Sequence, residues 1–172
     1  MKVLISAFKP FNKASNNYSY EVLQRIDNVD KALIDVVYDK CYEELVNNFD
    51  LSTYDLIIAL GEARKREVLT LETNAFNIAS CSIPDNNGVL KSNEKILDLD
   101  DILYTKVDID KVKDIVEFSS DPGKYVCNNL YFYLLANYPE KSLFIHIPNC
   151  YDLEGNYLLH ANKITEIINK LK

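Results

Sequence analysis

A three-layer α/β/α sandwich around a mixed, largely parallel central sheet is the fold this sequence predicts, on three observations. Strand-like and helix-like segments alternate along the 172 residues. Several strand segments are short continuous apolar runs, "KVLISA", "DLIIAL" and "SLFIHIP", the pattern of strands covered on both faces. No linker, repeat or low-complexity stretch breaks the alternation, so residues 1–172 read as one domain.

The elements follow in order. Residues 2–7 form a buried strand. "YSYEVLQRI" (18–26) has helical spacing, with Asn17 or Ser19 near its cap. "ALIDVVY" (32–38) is strand-like and "CYEELVNNF" (41–49) helical. The run 55–60 is a buried strand ended by Gly61. "EVLTLE" (67–72) alternates as a half-exposed strand does, and "NAFNIAS" (74–80) is placed to pair with it. "IPDNNG" (83–88) is a turn. The stretch 91–117 is charged and irregular, with a short helix near "DIDKVKDI". "VEFSS" (116–120) is a strand, and a Pro-Gly turn leads to a helix over 125–137. Residues 142–148 form a strand ended by Pro148, and "HANKITEIINKL" (160–171) an amphipathic helix.

Composition excludes several function classes. Aspartate and glutamate total 26 against 19 lysines and arginines, a net charge of −7. An acidic chain without a basic cluster predicts no nucleic-acid partner and no anionic membrane surface. No apolar run reaches the roughly 18 residues of a membrane span. The first residues read as a strand and not as a signal peptide, which points to the cytoplasm. The four cysteines at 41, 81, 127 and 150 contain no CxxC pair, and histidine is scarce, so no metal site is expected. Each cysteine taken alone reads as a reduced, small buried hydrophobe.

Ligands of open α/β sheets bind outside the carboxyl ends of strands. Three residues near element ends carry usable chemistry: Glu72, Cys127 and His146. A cysteine in the first turn of a helix meets the partial positive charge of the helix N-terminus, which favours thiolate, and free N–H groups that receive an oxyanion. An imidazole completes the activation as base and then acid, and a carboxylate on its far nitrogen fixes the tautomer. Each residue also has a plain structural reading. His146 lies between Ile145 and Ile147, as a satisfied core histidine does, and Glu72 reads equally as a solvated carboxylate. Glu62, Lys65, Arg66 and Glu67 read as surface charge, and His160 as a capping or solvent-facing residue. On spacing alone both readings stand.

Four ordered blocks narrow the choice. "VLISAFKPF" (3–11) is similar to the N-terminal strand and Phe-x-Pro-Phe loop of the pyroglutamyl peptidase I family of cytosolic cysteine peptidases. "IIALGEARKREVLTLETNAFNIASCSIPDN" (57–86) resembles its Gly-x-Ala-Gly-Gly-Arg segment, the following Glu, the Asn-Ile pair and the Ile-Pro-Asp-Asn turn. "PGKYVCNNLYFYLL" (122–135) resembles its Cys-Asn nucleophile motif, and "FIHIPN" (144–149) its Phe-Ile-His-x-Pro motif. The resemblance implies Cys127 as nucleophile, His146 as base and acid, and Glu72 as orienting carboxylate. It further implies an apolar pocket for the pyroglutamyl ring built from Phe8, Phe11, Ile83, Tyr125 and Val126. The implied substrate is a peptide with an N-terminal pyroglutamate. No cofactor or metal is implied, and a homo-oligomer, dimer or tetramer, is.

The chain departs from the family pattern in its loops. Arg64 and Lys65 stand where the family has two glycines, Asn12 and Lys13 replace a second glycine pair, and Ser82 replaces an arginine. These departures leave two alternatives open: a diverged cysteine amidase for another small acyl group, and a binding protein that keeps the fold.

Overall fold

The first apolar run forms strand β1 (Val3–Phe8), every residue of which is buried. In this computed structural model the described residues are 1–148, 150 and 153–172. Asn17 accepts from the Ser19 amide, 3.0 Å, and so caps α1 (Tyr18–Gln24). Next come β2 (Asp30–Ile34), α2 (Lys40–Asn48) and β3 (Leu56–Glu62). Short strands β4 (Thr70–Glu72), β5 (Asn74–Phe76), β6 (Ile102–Tyr104) and β7 (Glu117–Ser119) occupy the middle of the chain. It ends with α3 (Val126–Asn137), β8 (Ser142–Ile147) and α4 (Leu153–Leu171).

Six strands form one sheet in the order β2-β1-β3-β8-β4-β7. The first four are mutually parallel, and β4 with β7 runs against them. Period-two alternation splits the core in two. Ile58 and Leu60 of β3, with Leu143 and Ile145 of β8, join the cluster under α1 and α4. Ile57, Ala59 and Phe144 join the cluster under α3 and α2. The three-layer sandwich is therefore the fold observed. No helix among the described residues is long and apolar enough to cross a membrane.

Several elements differ from expectation. Strand β3 continues through Gly61 to Glu62, because β8 pairs with it along that whole length. Strand β2 stops at Ile34. Strand β4 is only three residues long and fully buried, not half-exposed, since β8 and β7 flank it. The segment after it does not fold back on it: β5 pairs with β6, inside the stretch read as irregular. The Asn77 side chain holds the intervening loop. Its Oδ1 accepts from the Ile96 and Leu97 amides, and its Nδ2 donates to the Leu97, Leu99 and Asp100 carbonyls. The helix expected near Ile109 is a single 3-10 turn, Ile109–Val112.

Helix α4 starts earlier than its amphipathic pattern suggested and places His160 in the interior, 7% exposed, not at a cap or in solvent. Burial, with Lys163 nearby, pushes its pKa down to about 4, and Nδ1 has no hydrogen-bond partner among the described residues. The folded pKa lies below the ordinary value, so the neutral ring's contribution to stability is complete above about pH 6.5. It is lost as pH falls towards 4. Urea midpoints measured between pH 7 and 4 should therefore fall less steeply for His160→Leu than for the parent chain.

Candidate active site

Alternation brings three side-chain positions to one face of the sheet. Gly61 on β3 and His146 on β8 are partners in the parallel register. Thr70 of β4 lies opposite His146 in the antiparallel register, and Glu72 lies opposite Phe144. Gly61, His146 and Glu72 all belong to the face under α3. The single reversal of strand direction turns the end of β4 inward, so Glu72 reaches the middle of β8 and is completely buried.

His146 Nδ1 lies 2.7 Å from Glu72 Oε1. A carboxylate only accepts, so Nδ1 carries the proton and Nε2 is left as the basic nitrogen. The same Oε1 accepts from Arg66 Nη2 at 2.6 Å. That nitrogen also donates to the Asp121 carbonyl at 2.8 Å and Ser119 Oγ at 3.2 Å. Arg66 thus ties the buried carboxylate to the loop that precedes α3. Tyr131 hydroxyl donates to the Glu72 carbonyl at 2.9 Å and fixes the backbone beneath.

Cys127 is the second residue of α3, whose N-cap, Tyr125, supplies no side-chain hydrogen bond. The first-turn N–H groups beside the thiol are thus not taken by a capping side chain. Two asparagines fix the helix start. Asn128 accepts from the Phe76 amide, 2.7 Å, and donates to the Phe76 and Ile78 carbonyls. Asn129 accepts from the Asp39 amide, 2.8 Å, and donates to Asp39 Oδ1. The sulfur rests against Gly61: a Cβ built there would stand 2.8 Å from Cys127 Sγ and 2.7 Å from Phe144 Cζ. Because Gly61 is registered opposite His146, the thiol and the imidazole come to neighbouring strands.

The thiol is not poised as the helix N-terminus alone predicts. Burial, reinforced by the carboxylates of Glu72 and Glu62, pushes Cys127 up to about 12. That shift opposes the pull of the helix end, and a base that takes the proton during attack offsets it.

Two adjoining cavities open here. A narrow inner pocket is walled by Phe8, Phe11, Asn17, Val36, Glu62, Tyr125 and Cys127. An outer cleft of about 610 Å³ reaches His146 and is lined by Phe11, Ile83, residues 62–66 and Asp121–Gly123. Of the five residues expected around a substrate ring, Phe8, Phe11 and Tyr125 wall the inner pocket and Ile83 the outer cleft. Val126 lines neither; it is fully buried in the core cluster under α3. The Ile-Pro-Asp-Asn turn is anchored by Asp85, which accepts from the Tyr38, Asn87 and Val89 amides. Asn149, the last residue of the His146 motif, lies outside the described residues. The described residues hold no cluster suited to a metal ion and no disulfide.

Sequence reasoning missed two charged residues. Arg66 is no surface cation, for the reasons above. Glu62 has a side chain only 3% exposed; it accepts from the Tyr18 amide at 2.7 Å and from Arg64 Nε at 2.6 Å, and lines both cavities. Its position one residue past Gly61, at a strand's carboxyl end, was the available signal.

Comparison with known proteins is specific. A profile of the pyroglutamyl peptidase family matches residues 1–153. The pyrrolidone-carboxylate peptidase of Brachyspira hyodysenteriae is 30% identical over 167 residues, covering 86% of this chain and 83% of its own. That of Thermosipho melanesiensis is 33% identical with the same coverage. Among solved structures, the pyrrolidone carboxyl peptidase of Fervidobacterium islandicum AW-1 superposes with a TM-score of 0.87 at 25% identity, over 99% of this chain and 98% of that one. Pyroglutamyl peptidase I of Bacillus amyloliquefaciens gives 0.85 at 25% identity, over 98% and 91%. The chain belongs to the pyroglutamyl peptidase family.

Two substitutions test this geometry. Gly61→Ala should leave a folded protein, by near-ultraviolet circular dichroism, whose turnover drops roughly a hundredfold as the sulfur is displaced. Unchanged turnover would place the working sulfur elsewhere. Arg66→Met strips one of the two partners from a buried carboxylate and should lower stability by about 2 kcal/mol in urea unfolding.

Proposed function

We propose that this chain removes N-terminal pyroglutamate from peptides through an acyl-enzyme, with Cys127 as nucleophile, His146 as base and acid, and Glu72 as the orienting carboxylate. The observation that carries the reading is the 2.7 Å contact between His146 Nδ1 and buried Glu72, with Cys127 Sγ packed on the glycine registered opposite that histidine. The aromatic inner pocket beside the sulfur suits a small uncharged lactam ring.

The steps use the positions of these three side chains. Nε2 of His146 takes the Cys127 proton as sulfur bonds to the carbonyl carbon. The oxyanion that forms is met by first-turn N–H groups of α3. As the C–N bond breaks, the imidazolium, stabilised by Glu72, gives its proton to the leaving amine. Water then attacks the thioester, His146 taking its proton, and pyroglutamate leaves as the thiol is restored. In this reading the enzyme is cytoplasmic and associates as a dimer or tetramer, as the family resemblance implies.

A chromogenic pyroglutamyl amide provides the assay. Wild-type protein should release the chromophore and lose activity on alkylation with iodoacetamide. Cys127→Ala and His146→Ala should fall to background while keeping their circular dichroism. Glu72→Gln should fold and lose about a thousandfold or more in rate. Cys81→Ala should retain the chemistry. Normal turnover by Cys127→Ala would overturn the mechanism, and tight binding of a pyroglutamyl peptide without turnover would make the chain a binding protein.

A further inference from the structure

We propose that the outer cleft selects substrates by the residue that follows pyroglutamate and favours an acidic one, held by Lys65 and Arg64. The inference rests on the reading that the acyl group fills the inner pocket beside Cys127. The departing peptide then lies on the His146 side, in the cleft of about 610 Å³.

One wall of that cleft is the turn closed by the Arg66 amide on the Ala63 carbonyl, 2.9 Å. Arg64 and Lys65 are its central residues. Neither has a positive φ, so the turn carries two long cationic side chains without the strain that would demand glycine. The charges of the cleft are unequally occupied. Its carboxylates already accept hydrogen bonds: Glu62 from Arg64 and the Tyr18 amide, and Asp121 Oδ1 from the Gly123 amide. Arg66 is engaged with Glu72, Ser119 and the Asp121 carbonyl. Arg64 uses only Nε, with its guanidinium over the Tyr18 ring at 4.8 Å and its side chain half exposed. Lys65 is exposed and has no anionic partner among the described residues. The cleft thus offers the free Lys65 ammonium and the unengaged nitrogens of Arg64, while Glu62 is held by Arg64 and Asp121 Oδ1 by the Gly123 amide. A carboxylate on the leaving peptide is the group that answers them.

The test compares kcat/KM for three pyroglutamyl-Xaa-alanine amides with Xaa as Glu, Gln or Lys, reading the released amine by chromatography. Glu and its isostere Gln should differ by roughly threefold to fivefold in favour of Glu, the effect of a partly exposed ion pair, with Lys slowest. The ratio should shrink towards one at about 1 M salt. Lys65→Ala should reduce it, Lys65→Glu should reverse it, and Asp121→Asn should enlarge it. Ratios taken within one variant cancel any loss of active protein. Equal kcat/KM for the three peptides in the parent chain, or a ratio that ignores Lys65→Glu, overturns the inference and leaves the peptidase reading intact. Cleavage of none of the three overturns both.

Discussion

A carboxylate with no access to water governs this structure. Glu72 sits at the end of the shortest kind of strand, fully enclosed, and a charge in that setting is tolerated only when partners converge on it. Two do so at one oxygen: the imidazole of β8 and the guanidinium of the turn after β3. The second partner reaches onward to the segment that delivers the Cys127 helix. Strand reversal, the Arg66 turn and the position of α3 are thus coupled through one buried anion, and loosening any of them exposes the cost of burying it.

Much of this was legible in the sequence, for physical reasons. Continuous apolar runs identify strands buried on both faces, as in β1, β3 and β8. Cys127, His146 and Glu72 stood out because their chemistry and their places at element ends coincide. The sequence was silent where the decisive partner lies far along the chain. Strand β4 looks half-exposed until β7 and β8 flank it. Strand β6 has no periodic pattern to announce it and exists because β5 is there to pair with. Arg66 and Glu62 look like surface charge in a charged stretch, and only the folded strand ends turn one inward and the other into both cavities. His160 has ordinary helical spacing, and nothing local reveals which face α4 buries.

The two departures from family glycines differ in kind. Asn12 and Lys13 have φ of 49° and 61°, the left-handed region in which glycine is at ease and a lysine is strained. Asparagine tolerates that region and Lys13 holds it at a cost, in the loop that delivers Phe11 to the inner pocket. Arg64 and Lys65 sit in a turn that any residue can adopt, so their side chains bring charge to the cleft without backbone strain.

The strand order also fixes when the site can exist. β1, β2 and β3 form one parallel unit, β4 and β7 another, and among the described residues β8 is the strand that bridges them. Glu72 and His146 are 74 residues apart along the chain, and β8 is the last strand made. During synthesis the ribosome releases every other strand before the bridging one, so the two halves of the sheet have no shared edge and the imidazole has no carboxylate. The buried carboxylate and the imidazole therefore meet only when β8 inserts between β3 and β4.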